Sequence, residues 1–390
     1  MTPPNAGLFK ISGFYFLYYA VIGAFMPYWS LYLEDQGFNR ATIGILASIT
    51  VLTRIFAPIA WGWLADRTGK RMRWVRLATF MECIVWLSIF MLPNTLGHLA
   101  ILMFVFSFFQ NAILAQFEAI TLFWLGDERD SLYGRVRKWG SIGFIVAVFG
   151  LGKVFDVLSI HYLPILLMSI AALTWLWSWQ ISEPSQAPQA QKILSPLLPI
   201  LKKSPIWQFF TIEFLLLLSH APFYSFYSNY LKDYGYSTGL TGLLWSLGVV
   251  AEIIMFSQSR HLLARFSQHH LIACCLVITS IRWLIVGMFP QYLWLQMTAQ
   301  CLHAFSFGLF HVIAMQVIFK GFLPAQQGRA QAVYSTMWGL GVAIGSLFAG
   351  HYWQAFGGNN MFYSAASVVL LGLFFLPWQS VVKTQPSLDV

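Results

Sequence analysis

The ten residues Gly62 to Arg71, GWLADRTGKR, lie in a short polar gap between two apolar stretches, about Ile43 to Leu64 and Trp74 to Leu92. Each stretch is about twenty residues long, enough to cross a hydrocarbon core of roughly 30 Å as a helix. Two such helices joined by a tight loop carrying Asp66, Arg67, Lys70 and Arg71 describe a membrane chain with a charged hinge at one surface. That reading requires the rest of the chain to be membrane as well.

The composition agrees. Of 390 residues, 58% are hydrophobic and 9% charged, with 17 Trp, where soluble domains average about a quarter charged. Spans are expected at about Phe9 to Leu33, Ile43 to Leu64, Trp74 to Leu92, Leu99 to Trp124, Trp139 to Leu158, Leu163 to Ile181, Ile206 to Leu231, Thr241 to Gln258, Leu271 to Phe289, Tyr292 to Phe319, Ala330 to Phe356 and Met361 to Trp378. Twelve such spans make an all-α membrane protein. The first shows no small-residue cleavage site in a polar context, so it is expected to stay as a helix. Cys83, Cys274, Cys275 and Cys301 all fall within spans and read as packing residues, not as a disulfide framework.

A formal charge of +9 could suggest a nucleic-acid partner, but the placement of the charges argues for topology. With the N-terminus inside, Arg40, Lys153 and Lys232 fall outside, Arg54 and Arg282 fall within the bilayer, and the other Lys and Arg, Lys192 and Lys383 among them, lie on the cytoplasmic face. This is the positive-inside pattern. It places both termini in the cytoplasm and lipid, not nucleic acid, around the chain.

The Pro-rich stretch from Ser182 to Pro205 divides the chain into residues 1–181, a linker 182–205, and residues 206–390, with six spans on each side. If the halves are repeats, the first connection should recur after the linker. YLEDQGFNRATIGILASITVLTRI from Tyr32 does recur, without a gap and 198 residues later, as YLKDYGYSTGLTGLLWSLGVVAEI from Tyr230. Asp35 pairs with Asp233, Gly37 with Gly235, Gly44 with Gly242 and Ser48 with Ser246. GRVRKWGS from Gly134 recurs more loosely as GRAQAVYS from Gly328. The opening motif recurs poorly, since SRHLLARFS from Ser259 keeps Arg265 but loses the Gly and Asp. Two like halves about a central axis, with a site near the midplane, are a recurring way to move solutes across membranes.

Ionisable groups deep in spans cost about 3 kcal/mol or more on insertion scales, so they face an aqueous cavity or a partner. Here they are Arg54, Glu82, Glu118, Glu213, His220, Glu252, Arg282, His303 and His311, with Arg137 near the inner end of the fifth span. Arg54 and Glu252 are repeat equivalents, so both are expected at a central cavity. The plain alternative for each is a structural pair or a charge that snorkels to the surface. His303 and His311 stand about 12 Å apart along a helix, too far for one metal. His261, His269 and His270 lack Cys or carboxylate companions, so neither metal nor cofactor is expected. GLGVAIG from Gly339 lies inside an apolar helix and reads as a packing surface. Tyr15, Tyr18, Tyr19, Tyr28 and Trp29 crowd the first span and Phe223, Tyr224, Phe226, Tyr227 and Tyr230 the seventh. Aromatic faces mixed with Arg suit a ring-bearing carboxylate.

GWLADRTGKR closely resembles the loop-2-3 signature of the major facilitator superfamily, and with twelve spans and the repeat the resemblance covers essentially the whole chain. YGRVRKWGSIGF from Tyr133, TRIFAP from Thr53, AEI from Ala251, SIRW from Ser280 and HAFSFGLFH from His303 resemble the phenylpropionate permease family, relatives of the oligosaccharide–proton symporters such as lactose permease. The resemblance implies that Glu118 and Arg137 match the sugar-site residues of helices four and five. It likewise matches Glu252 to the carboxylate of helix eight, Arg282 to the Arg of helix nine and His303 to the His of helix ten. One departure stands out: the proton-carrying carboxylate one turn beyond that His is Ser306 here, so coupling must use Glu252, His311 or His303. Arg54 has no counterpart in the sugar symporter and tilts the substrate toward an organic anion. Helix four lacks the Arg that pairs with the motif Asp in many antiporters, which favours uptake.

The expectation is a monomeric, proton-coupled importer of an aromatic carboxylate such as a phenylpropionate-like acid. Arg54, Glu118, Arg137, Arg282 and His303 would bind substrate. Gly62, Asp66, Arg67, Gly69 and Arg71 would form a gate, with Gly62 permitting close approach and Asp66 facing the positive end of helix eleven near Arg329. A sugar or nucleoside symporter is the alternative, and an exporter or a non-transporting sensor a more distant one. An enzyme would need a nucleophile and base together, which the sequence does not offer.

Overall fold

The structure, a computed structural model, describes residues 5–182 and 197–376. Most of the linker, including Pro184, Pro188, Lys192 and Pro196, lies outside the described residues, as do Trp378 and Lys383.

The described residues form helices and no strands, and eleven stretches are long and apolar enough to cross a membrane. The last, Gln326–Phe375, has 50 residues, about 75 Å of helix at 1.5 Å per residue. That is twice what a bilayer needs, and Gly357 breaks it with φ 78° and ψ 159°. The described residues therefore make twelve spans. They are α1 (Asn5–Phe25, resuming as Trp29–Asp35), α2 (Arg40–Thr68), α3 (Arg71–Met91), α4 (Leu96–Leu125), α5 (Arg129–Phe155), α6 (Leu163–Ser178), α7 (Ser204–Asp233), α8 (Thr238–Arg265), α9 (Gln268–Met288), α10 (Leu293–Gly321), and α11 and α12 on either side of Gly357.

One local expectation is refined and one corrected. The first span is present, within Gly7–Asp35, but its helix is interrupted by a turn at residues 26–28, where Pro27 has no N–H to donate. The polar gap at the opening motif is also shorter than the sequence suggested. Asp66 and Arg67 complete the last turn of α2, leaving Gly69 and Lys70 between the helices. Gly69 takes φ +66° and its N–H bonds to the Ala65 carbonyl, a left-handed helix ending that glycine adopts without a Cβ clash.

The repeat is legible in the backbone. Helices end at Asp35 and Asp233 and restart at Arg40 and Thr238. Between them, Gly37 and Gly235 both have positive φ, 85° and 81°. Asn39 caps the next helix by accepting from the Thr42 N–H at 2.9 Å, and Ser237 does the same for Leu240 at 3.2 Å. The 198-residue offset also governs packing. A Cβ on Gly143 of α5 would lie 2.1 Å from the Phe16 carbonyl oxygen of α1, and one on Gly341 of α11 would lie 2.7 Å from that of Phe214 of α7. The loose pairing of Gly134 with Gly328 is one helical turn out of this register.

The residues group into two compact units, Met1–Ala190 with Ser225–Ser246, and Gln191–Tyr224 with Leu247–Val390. In the first, Phe14, Tyr15, Met72, Val75, Ile113 and Phe117 form a continuous core of α1, α3 and α4. The α7–α8 hairpin is held there by polar contacts. Arg40 reaches Asp233 at 3.0 Å and Glu34 at 3.2 Å, while Asp156 accepts from the Gly239 N–H and the Thr238 hydroxyl, both at 2.8 Å.

Candidate functional site

In the first unit, α1, α4 and α5 bring together an aromatic and charged cluster. Arg137 lies 3.8 Å from Glu118, donates to the Tyr19 hydroxyl, and places its guanidinium 4.3 Å from the Tyr19 ring centre and 5.6 Å from that of Tyr15. Glu118 also accepts from the Tyr133 hydroxyl at 3.3 Å. Gly140 permits this arrangement, since a Cβ there would meet Tyr19 at 2.6 Å. Arg54 is half-buried and bears electrostatically on Tyr18 and Tyr19. Two cations thus bear on the tyrosines of α1, and Arg137 is paired with Glu118.

In the second unit the centre is Arg282, which is 0% exposed. Its Nε donates to the Ala299 carbonyl at 3.0 Å and its terminal nitrogens reach His303 Nδ1 at 2.9 Å, Ser306 Oγ at 3.1 Å, Gln300 Oε1 at 3.3 Å and His220 Nε2 at 3.4 Å. Its guanidinium carbon lies 4.4 Å from the Phe223 ring centre and 4.3 Å from that of Trp283, two cation–π contacts. On the far side of the imidazole, His303 Nε2 stands 2.7 Å from Glu252. Residues Ala304–Leu309 form a π-helical stretch within α10, a local widening frequent at functional sites, and Ser306 sits in it.

Residues 8–364 match the MFS_1 like family. The chain belongs to that family of the major facilitator superfamily. It is 30% identical over 378 residues to the Escherichia coli K12 protein named "Probable 3-phenylpropionic acid transporter", covering 93% of this chain and 95% of that one. It is 26% identical to the maltose permease of Geobacillus stearothermophilus, over 91% of each chain. Among solved structures, the nucleoside transporter NupG superposes with a TM-score of 0.79 at 16% identity, covering 95% of this chain and 98% of that one. A bacterial homologue of the lysosomal transporter Spinster, in its inward-facing occupied form, gives 0.76 at 12% identity over 95% of each chain. These structures establish the fold. The protein is a multi-pass membrane transporter.

The superfamily motif makes its own network. Asp66 pairs with Arg71 at 2.5 Å, and Arg71 also reaches Gln116 of α4. Gln116 thus occupies a helix-four position where a polar partner meets the motif. Arg67 lies over the Trp63 ring at 5.3 Å, and a Cβ on Gly62 would meet no atom within 4 Å.

The structure therefore brings Glu118 to Arg137, and Glu252 to His303 and Arg282. His311 bonds instead to the Tyr334 hydroxyl at 3.1 Å. Tyr15 and Tyr19 belong to the aromatic crowding of the first span, whereas Tyr133, His220, Gln300 and Tyr334 are not among the expected site residues. Tyr133 stood inside a motif already singled out, and His220 among the buried ionisable groups. Tyr334 stood inside the loose repeat GRAQAVYS, whereas Gln300 carried no sequence mark, because a neutral polar residue in a span is seen to matter only when its partner is known.

Proposed function

We propose that this transporter imports a small aromatic carboxylate, of the phenylpropionate type, together with protons, by alternating access of its two six-helix halves. The observation that carries this reading is the cluster of Arg137 and Arg54 among Tyr15, Tyr18 and Tyr19. A ring-bearing anion needs a charge-assisted hydrogen bond for its carboxylate and π faces for its ring. The printed name of the E. coli relative supports the same substrate class. Arg282 is enclosed by protein acceptors, so its part is to fix His303 and, through it, Glu252.

Glu252 is the proposed proton carrier. A buried carboxylate is easier to enclose once neutral, which would link the occluded state to protonation. His303 and His311 assist. Gly62, Asp66, Arg67, Gly69 and Arg71 control the gate at their end of the membrane, and both termini lie in the cytoplasm. The protein acts as a monomer in the bacterial inner membrane. The α7–α8 hairpin, now bound to α1, α2 and α5, would release from them in each cycle.

The pairing of an acidic and a basic side chain, Glu118 with Arg137, favours a second reading, a proton-coupled sugar or nucleoside symporter, since such a pair can hold hydroxyls. The test is pH-gradient-driven uptake into proteoliposomes of labelled 3-phenylpropionate, maltose and uridine in parallel. Uptake of the acid, stimulated by an inward proton gradient and lost in Arg137→Gln, is expected. Uptake of a neutral solute alone would replace the first reading by the second.

A further inference from the structure

Glu213, on α7, is 0% exposed, and neither of its carboxylate oxygens accepts an aligned hydrogen bond among the described residues. The polar side chain that bears on it is Tyr334 of α11. A buried carboxylate is costly in its ionised form, whereas the neutral acid carries its own O–H donor. The geometry around it is fixed, because Gly341 and Gly345 let α11 approach the backbone of α7, with Cβ positions 2.7 and 2.6 Å from the Phe214 and Leu218 carbonyl oxygens.

From Tyr334 a chain of titratable groups continues. Its hydroxyl lies 3.1 Å from His311 Nδ1. His311 stacks on Phe307 at 5.9 Å and Phe307 on His303 at 5.6 Å, so the π-helical stretch aligns both imidazoles on one ring. Glu252, which binds His303, also attracts His311. Tyr224 is the other titratable group bearing on Tyr334.

We propose that Glu213, Tyr334 and His311 form a second proton-binding site that exchanges its proton with Glu252. The inference rests on the proton-symport reading for its purpose, though not for its geometry. The Glu213 acid gives its proton to Tyr334 Oη as the tyrosine proton moves to His311 Nδ1. This leaves a carboxylate, an unchanged tyrosine and an imidazolium. The imidazolium then releases the proton on Nε2 to the Glu252 carboxylate and becomes neutral.

Two measurements on the full-length protein in lipid test the proposal. Infrared spectra recorded without solute read the carbonyl band of protonated carboxyls. Glu213→Gln is expected to remove one such band and Tyr334→Phe to shift it; a spectrum unchanged in both variants overturns the site. In proteoliposomes, both variants are expected to lose pH-gradient-driven accumulation of labelled 3-phenylpropionate while its counterflow persists. Accumulation at the wild-type level in both overturns the exchange with Glu252. Should the wild type itself fail to accumulate the acid under a proton gradient, the symport reading fails, and the infrared result still decides whether Glu213 holds a proton.

Discussion

His303 sits between Glu252 and Arg282, with Nε2 at 2.7 Å from the carboxylate and Nδ1 at 2.9 Å from the guanidinium. A guanidinium only donates, so Nδ1 must accept, and a neutral ring then carries its proton on Nε2, aimed at Glu252. Arg282 thereby sets the tautomer that faces the carboxylate. Glu252→Gln keeps a carbonyl for Nε2–H to reach but cannot take up a proton. It is expected to lose proton-driven accumulation while exchange of the same solute across proteoliposomes continues. Uphill uptake at the wild-type rate would remove Glu252 from coupling.

Arg282→Lys tests the claim that this guanidinium organises the second unit. Lysine offers one nitrogen where arginine reaches five acceptors through three, and it lacks the flat guanidinium set beside Phe223 and Trp283. Hydrogen bonds to charged groups contribute about 1.5–3 kcal/mol each, so a loss of about 2 kcal/mol or more is expected as a lower melting temperature in detergent. An unchanged melting temperature would show that the acceptors are indifferent to the fork.

Both examples mark what could be read in advance. The twelve spans followed from hydrophobic length, and the repeat from an ungapped match that the backbone reproduces at Gly37 and Gly235. Glu118 and Arg137, and Glu252, His303 and Arg282, stood out because charge in a span is rare. Their partners did not. Burial of Gln300 is ordinary for a span, and only the crossing of helices reveals that it faces Arg282. The extent of the loop at Gly69 was also hidden, since Asp66 and Arg67 are as compatible with a last helical turn as with a loop.

Asp156 gives a pH prediction. Burial pushes its carboxyl up, but the Gly239 N–H, the Thr238 and Ser237 hydroxyls and Lys153 outweigh it and hold the group below the usual aspartate value. A carboxylate depressed in this way stabilises fully above the ordinary range, near about 3.9, and loses its effect as pH falls through its lowered value. At neutral pH Asp156→Asn is therefore expected to loosen the start of α8. The readout is faster maleimide labelling of a cysteine placed at the buried Thr241. Acidification through the carboxylate range should lower the melting temperature of the wild type more than that of the variant; equal responses would assign the contact no role.

The helix crossings at Gly143 and Gly341 make a paired prediction, because the repeat places the same contact in both halves. A Cβ would lie 2.1 Å from the Phe16 oxygen in one case and 2.7 Å from the Phe214 oxygen in the other, and neither obstacle is a side chain that can rotate away. Overpacking of this kind typically costs about 1–3 kcal/mol. Gly143→Val and Gly341→Val are both expected to lower thermal stability, with Gly143→Val the more severe because its clash is closer. Gly150 lies on α5 too, but a Cβ there meets nothing within 4 Å. Gly150→Val should stay within about 0.5 kcal/mol of the wild type. If all three variants melt together, close backbone approach is not what holds α1 to α5 and α7 to α11.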